Sequence, residues 1–188
     1  MKSAKTLSKM ECCAIFNYMK KNKPKTILEF GVQYGCSSRL FVDSAKFIGY
    51  NLNLHSWDVI KAHKLIDKKE FYFHKEDITG KEKETFKKYV PDLVFLDAHV
   101  YALTKNLIEL CLKKKVNFMA HDTELLAVCK RRSKDFTNFS NKTNAQWEPY
   151  LLGKLIHKDL WSKDVYENDK VLVRLIRDKY GLGIIEHK

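Results

Sequence analysis

TILEFGVQYGCSS, residues 26–38, joins an apolar run that ends in an acid to two glycines and a group of small polar residues. Ile27–Phe30 predicts a buried strand, and residues 36–47 predict a helix. Gly31 and Gly35 allow the backbone to approach a ligand closely and to turn into a helix whose first amides can bind an anion. The spacing differs from the G-x-G-x-x-G dinucleotide fingerprint, which argues against NAD. A turn without a ligand is the alternative interpretation.

Short apolar runs alternate with helical patterns along most of the chain. This alternation predicts an α/β fold with a mainly parallel, seven-stranded sheet, helices on both faces and a C-terminal antiparallel hairpin. Apart from the first strand and its helix, strands are predicted over 52–59, 71–74, 92–98 and 116–120, and helices over 6–21, 81–89, 103–111 and 123–132. Ser8 and Glu11 form a predicted capping box at the first helix.

The pattern changes near residue 133, where a polar, loop-like segment precedes a predicted short helix over 147–157. Two closing strands joined near Tyr180–Gly181 are predicted in VLVRLIRDKYGLGIIEH, but LWSKDVYE (160–167) is an alternative strand, and the sequence does not decide between them. We predict one domain over 1–188. It divides into an N-terminal helix (1–23), a core (24–132) and a variable segment with the hairpin (133–188).

Composition narrows the class of protein. The chain has 188 residues, of which 45% are hydrophobic, enough for one domain with a full core. No run approaches the ~20 apolar residues of a membrane span, and the N-terminus lacks the apolar segment of a signal peptide. The five cysteines form no C-x-x-C pair, which suits a reducing compartment and argues against a structural zinc site. These observations predict a cytoplasmic protein.

The net charge is +12, from 35 Lys and Arg against 23 Asp and Glu. Such an excess attracts acidic partners, among them nucleic acid. The lysines are scattered along the chain, however, so solvated lysine-rich surfaces explain the charge equally well.

Polar side chains, most of them acidic, end five successive predicted strands. The carboxyl ends of parallel strands meet at one edge of a sheet, where ligands bind. One acid at a strand end is usually a cap or a turn former, but five in succession favour a binding site. Asp58, at the end of the second strand, is placed to hold ribose hydroxyls, which favours a nucleoside-containing ligand. In chain order the strand ends carry Glu29, Asp58, Glu76–Asp77, Asp97 and His121–Asp122.

Several segments together resemble the class I S-adenosylmethionine-dependent methyltransferases. They are ILEFGVQYGCSS (27–38), DV (58–59), ED (76–77), DLVFLDAHVY (92–101), MAHDT (119–123) and GLGII (181–185). The chain is most similar to small-molecule O-methyltransferases grouped with catechol O-methyltransferase, cephalosporin-hydroxylase-like proteins and macrolide or aminocoumarin sugar methyltransferases. The resemblance covers residues 24–125 best. It implies a Rossmann-like methyltransferase fold, S-adenosylmethionine as cofactor, and a hydroxyl of a small molecule or sugar as acceptor.

The resemblance also implies which residues bind the cofactor. Asp58 would hold the ribose, and Asp77 would lie near the adenine, although a solvated loop acid is an equal alternative for Asp77. Tyr34 and Tyr101 are also placed to line the acceptor pocket. Glu29, Gly31 and Gly35 would line the methionine part, and Ser37 or Ser38 would bond its carboxylate at the start of the helix. The other residues that the resemblance implies for cofactor binding are Tyr34 and Asp97.

Members of this group often bind Mg²⁺ through an acid after strand four and an acidic pair after strand five. The matching residues here are Asp97, His121 and Asp122, which implies a divalent cation, Mg²⁺ or Mn²⁺. His121 departs from the pattern because imidazole suits a transition metal better than Mg²⁺, so Fe²⁺ and Zn²⁺ stay open. Alternatively, Asp122 caps a helix that begins at Thr123.

His99 and Asp97 are the predicted catalytic residues. His99 lies where related sugar methyltransferases carry a proposed general base. With an ordinary pKa of ~6.5, its imidazole would accept a hydroxyl proton near neutral pH. The alternative is a buried histidine that bonds a backbone carbonyl.

Two other functions stay open. The net charge favours an RNA- or nucleotide-modifying methyltransferase, anchored by KRRSK (130–134), whose binding would weaken steeply with salt. The departure at His121 favours a cofactor-binding module that has lost catalysis.

Overall fold

The computed structural model describes residues 7–59, 71–123, 148–158, 160, 163–178 and 180–188. Three sequence predictions therefore lie outside the described residues: the helix over 123–132 beyond Thr123, the KRRSK segment, and the polar segment after residue 133 as far as residue 147.

One sheet of eight strands organises the described part of the chain. Its strands are β1 (Thr26–Phe30), β2 (Asn53–Trp57), β3 (Tyr72–His74), β4 (Leu93–Leu96), β5 (Asn117–His121), β6 (Val165–Glu167), β7 (Val171–Ile176) and β8 (Leu182–His187). Their order across the sheet is β3-β2-β1-β4-β5-β8-β7-β6. The first five strands pair in parallel, and β8, β7 and β6 extend the sheet in antiparallel fashion.

Within the described residues, five helices cover the two faces of this sheet: α1 (Lys9–Asn22), α2 (Cys36–Ile48), α3 (Glu82–Tyr89), α4 (Tyr101–Lys114) and α5 (Glu148–Leu155). Apolar residues of α1 and α2 form one buried cluster, and those of α3, α4 and α5 form a second. Leu93 belongs to the first cluster and Val94 to the second, so neighbouring residues of β4 are buried on opposite faces, as expected of a covered parallel sheet. Across the described ranges, no helix combines the length and apolarity needed to cross a bilayer.

The predicted mixed fold is confirmed, with one strand more than expected. Both C-terminal alternatives form: the closing strands are β7 and β8, and the segment left undecided contains β6. β6 has only three residues and pairs with β7 alone at the edge of the sheet, so it needs no long apolar run. The predicted capping box is also present, because the Ser8 and Glu11 side chains each accept the other residue's backbone N–H.

The chain leaves β1 toward β2 on one side and continues through β4 toward β5 on the other, which places the topological switch point between β1 and β4. Ligands of open α/β sheets bind outside the carboxyl ends of such strands. Gly31 follows β1 there with φ of 93°, and a Cβ on it would lie 2.2 Å from the Asp97 carbonyl oxygen. Only glycine fits this close approach between two backbones.

Two histidines on the neighbouring strands β2 and β3 contact each other. His55 Nδ1 lies 3.3 Å from His74 Nε2, and the His74 ring stacks on Trp57 with centroids 4.4 Å apart. Burial, together with the charges of His74 and Lys88, lowers the pKa of His55 to about 4, and burial also lowers the pKa of His74. The folded protein therefore favours two neutral imidazoles.

We expect this pair to make the protein less stable in mild acid. The unfolded chain takes up protons below pH ~6.5, whereas folded His55 resists protonation until about pH 4, so the free energy of unfolding falls as pH drops through that window. Because the pair is half exposed, we expect a loss of about 1 kcal/mol. Urea denaturation at pH 7.5 and 5 measures it. His55→Phe keeps an aromatic ring at this position but removes the titrating imidazole. If the free energy of unfolding of this variant fell as steeply with pH, His55 would not be the cause of the acid sensitivity.

Candidate functional site

A cavity of about 330 Å³ opens at the switch point. Residues that follow four parallel strands line it, together with the side chain of Trp57. Those that the sequence singled out are Gly31, Asp58, Asp77, Asp97 and His99. The ends of the first four predicted strands thus lie at this cavity, whereas His121 and Asp122 do not line it.

Asp58 joins the ends of β1 and β2 at this cavity. Its Oδ2 accepts backbone N–H bonds from Val32 at 2.9 Å and from Gln33 at 2.8 Å. The carboxylate therefore fixes the turn that follows Gly31 while it lines the cavity.

Glu29 lies fully buried beneath the same turn. It accepts hydrogen bonds from the hydroxyls of Ser37, Ser38 and Ser56. Burial raises the pKa of Glu29, and the three donors oppose that shift. The hydroxyls of Ser37 and Ser38 thus point inward, whereas Gly35 begins α2 in a left-handed conformation without a side-chain cap. The backbone amides of the first turn are the groups that α2 offers to a ligand.

Asp77 lies at the outer rim of the cavity. Its Oδ1 accepts bonds from the backbone and the hydroxyl of Thr79, and these bonds lower the pKa of Asp77. The side chain therefore shapes its own turn in addition to lining the cavity.

Tyr34 lies on the other side of the turn. It borders a pocket of only about 20 Å³ with Leu7, Asp97 and His121. Tyr34 is thus placed toward the cluster of acids and histidines rather than in the larger cavity.

Two histidines and two aspartates form that cluster. His99 Nε2 is 3.3 Å from Asp97 Oδ1 and 3.3 Å from Asp122 Oδ2. His121 Nδ1 is 3.4 Å from Asp97 Oδ1 and 3.5 Å from Asp122 Oδ1. Both aspartates are therefore shared between the two imidazoles.

Two glutamates complete the cluster, and the sequence analysis did not identify either as a site residue. Glu148, the first residue of α5, places Oε1 3.7 Å from His99 Nδ1, and Glu11 of α1 places Oε2 3.7 Å from His121 Nε2. Both glutamates are fully buried. Glu11 was noticed only for its capping box, and Glu148 follows a polar segment without a motif, so only their three-dimensional placement reveals them.

The carboxylates control the ionisation of both histidines. Burial lowers the pKa of His99, but Glu148, Asp97 and Asp122 outweigh it and raise that pKa to about 9. Burial is likewise outweighed at His121, where Asp97, Glu11 and Asp122 raise the pKa to about 10. At neutral pH the His99 imidazole is therefore protonated, which weighs against the predicted role as a general base.

The geometry changes the predicted set of metal ligands. Asp97, His99 and Asp122 each offer one ligand atom, and these atoms lie within 4.8 Å of one another. His121 stands outside this group, although it contacts both aspartates. His99, rather than His121, therefore has the spacing of a possible third ligand beside the two aspartates.

Backbone strain is concentrated beside the same residues. Six non-glycine residues of the described ranges have positive φ, and three of them (Lys23, Val90 and Lys115) end helices. The other three lie at the carboxyl edge: Gln33, His99 and Asp122. Strained residues that no helix end explains are typical of functional sites.

Comparisons with known proteins agree with this architecture. No family model matches the chain, and no curated protein matches its sequence. Among solved structures, apo CmcI aligns over 96% of this chain and 71% of its own, with 15% identity and a TM-score of 0.61. The chain has the Rossmann-like methyltransferase fold.

Other structures with this methyltransferase fold carry ligands or assigned activities. CmcI with Mg-SAM aligns over 76% of this chain and 69% of its own, at 18% identity and a TM-score of 0.52. A putative caffeoyl-CoA O-methyltransferase from Staphylococcus aureus aligns over 97% and 85%, at 13% identity and a TM-score of 0.60. An O-methyltransferase from Bacillus cereus in complex with SAH aligns over 98% and 84%, at 15% identity and a TM-score of 0.58.

Proposed function

We propose that this protein transfers a methyl group from S-adenosylmethionine to a hydroxyl of a small molecule or sugar. The observation that carries the proposal is the cavity of about 330 Å³ at the switch point of a methyltransferase fold, with Asp58 and the turn at Gly31 on its wall. Solved neighbours that contain SAM or SAH, CmcI and the Bacillus cereus enzyme, support this choice of cofactor.

The cavity offers a partner for each part of the cofactor. Asp58 is placed for the ribose hydroxyls, and Asp77, which lines the same cavity, is placed for the adenine. The methionine part would pass Gly31, which lines the cavity at the end of β1. Its carboxylate would meet the first amides of α2, because a helix N-terminus favours a negative charge.

Methyl transfer requires alignment of the sulfur, the methyl carbon and the acceptor oxygen more than activation of the methyl group, because the sulfonium is already reactive. The methyl group leaves the sulfonium sulfur and bonds to the acceptor oxygen, so that the S–C bond breaks, the O–C bond forms and S-adenosylhomocysteine remains. The hydroxyl proton passes to a basic group of the cluster, for which the carboxylate of Asp97 is the candidate, because His99 is already protonated at neutral pH. Holding the three reacting atoms in line supplies most of the rate enhancement.

Calorimetric titration of S-adenosylmethionine and S-adenosylhomocysteine into the EDTA-treated protein tests the proposal. We expect binding at micromolar concentrations of both compounds. Absence of binding would overturn the proposal. Binding without turnover of any hydroxylated acceptor, sugar or RNA would instead favour a cofactor-binding module.

The nucleic-acid alternative has its own test, because phosphate contacts release counterions. We expect the turnover of a small-molecule acceptor to change little between 50 and 200 mM salt. An RNA that binds tightly and loses affinity steeply over that range would favour the alternative that the net charge of +12 suggests.

A further inference from the structure

Three side chains at the carboxyl edge have the spacing of metal ligands. His99 Nε2 is 3.3 Å from an oxygen of Asp97 and 3.3 Å from an oxygen of Asp122. Atoms that each lie ~2.0–2.2 Å from one tetrahedral ion are separated by roughly 3.3–3.6 Å. The two nitrogen–oxygen separations therefore match those around a small divalent ion. Asp97 and His99 also line the cavity of about 330 Å³, which gives an ion access from solvent.

Glu148 provides a second, independent observation. Its carboxylate is fully buried, and neither oxygen finds a hydrogen-bond partner among the described residues. Burying such a group is costly unless it serves a nearby charge or donor. Glu148 Oε1 points at His99 Nδ1, 3.7 Å away, and in metal sites the imidazole nitrogen that does not bind the ion commonly donates to a carboxylate. Glu148 is placed to orient His99 in this way.

His121 orients the two aspartates from its own position. Its Nδ1 contacts Asp97 and Asp122 at 3.4 and 3.5 Å, and its Nε2 faces buried Glu11 at 3.7 Å. Glu148 thus supports the imidazole of His99. His121, which Glu11 holds in place, supports the carboxylates of Asp97 and Asp122.

The donor set does not suit Mg²⁺, the ion that the family resemblance implies. Mg²⁺ takes oxygen ligands in near-octahedral geometry, whereas imidazole favours later first-row metals such as Zn²⁺, Fe²⁺ and Co²⁺. We propose that Asp97, His99 and Asp122 bind one divalent transition-metal ion, with Glu148 and His121 as positioning residues. When bound, such an ion lowers the pKa of a hydroxyl that it contacts. Its use in methyl transfer rests on the proposed function, but metal binding can be measured without the cofactor.

The test is a metal titration of the full chain after EDTA treatment and buffer exchange. Zn²⁺, Co²⁺ and Mg²⁺ are added separately, bound metal is counted by mass spectrometry after desalting, and Co²⁺ binding is followed by its visible absorption. We expect one Zn²⁺ or Co²⁺ per chain, bound at least ~100-fold more tightly than Mg²⁺.

Variants assign the ligands. His99→Asn replaces the nitrogen ligand with an oxygen. We expect this variant to bind Zn²⁺ at least ~100-fold more weakly and to show a smaller difference between its affinities for Zn²⁺ and Mg²⁺. Glu148→Gln keeps all three ligands and should weaken Zn²⁺ binding ~10- to 100-fold. His187→Asn is the matched control, because His187 ends β8 at the opposite edge of the sheet. Circular dichroism and the cofactor titration verify that each variant is folded.

Three results would overturn the inference: Mg²⁺ bound as tightly as Zn²⁺, Zn²⁺ affinity unchanged in His99→Asn, or no metal retained by the folded protein. If one of these results is found and S-adenosylmethionine still binds, the inference about the metal is wrong but the proposed function is not contradicted. Metal binding without cofactor binding would overturn the proposed function alone.

Discussion

Asp58→Ala is expected to abolish measurable binding of S-adenosylmethionine, with a loss of at least ~100-fold in affinity. The carboxylate is placed for two ribose hydroxyls, and hydrogen bonds to a charged group contribute about 1.5–3 kcal/mol each. The substitution also removes the acceptor of the Val32 and Gln33 amides, so the turn at Gly31 loses its support. Calorimetric titration gives the affinity directly.

Two further variants separate these contributions. Asp58→Asn keeps an oxygen for the two amides but loses the charge, so we expect a smaller loss of about 10-fold. Asp43→Ala is the control, since Asp43 is an exposed acid of α2 that pairs with Arg39 away from the cavity. If Asp58→Ala bound the cofactor as tightly as Asp43→Ala does, Asp58 would not be the ribose ligand.

Gly31→Ala is expected to have the largest effect on stability. The added Cβ would lie 2.2 Å from a backbone oxygen of Asp97, and backbone atoms of the adjacent strands β1 and β4 cannot move aside cheaply. We expect the free energy of unfolding to fall by about 3 kcal/mol or more. Urea denaturation followed by circular dichroism measures the change.

Gly49→Ala separates crowding from backbone strain. Gly49 also has a positive φ, of 82°, but a Cβ there would meet nothing within 4 Å. Gly49→Ala should lower the free energy of unfolding only by the cost of holding alanine in the left-handed conformation, about 1–2 kcal/mol. Equal losses in the two variants would show that the close approach of β1 to Asp97 is not what requires glycine at position 31.

The fold could be predicted from the sequence because burial leaves a direct pattern. Covered parallel strands such as Leu93–Leu96 are apolar on both faces, and Ser8 and Glu11 have the spacing of a capping box. The number of strands was harder to predict from the sequence. Val165–Glu167 is a short edge strand whose residues are exposed or half-buried, so no hydrophobic run separated it from a loop.

The site could be predicted only in part. Strand ends place Asp58 and Asp97 at one edge, because the topology of an open sheet fixes where carboxyl ends meet. His99 contacts Glu148 at the start of α5, and no local sequence pattern connects that helix to His99. Glu148 contacts His99 although 48 residues separate them along the chain.

The placement of β8 has a consequence for synthesis of the protein. Asp97, His99 and His121 leave the ribosome well before β8, yet β8 is the strand that covers the edge of β5, with Leu182 beside His121. A nascent chain therefore presents β5 as an open edge, and β8 must then insert between β5 and β7. This closure joins distant parts of the chain, which makes it a slow step. We expect ribosome-bound chains halted before residue 182 to leave the edge of β5 without its neighbouring strand.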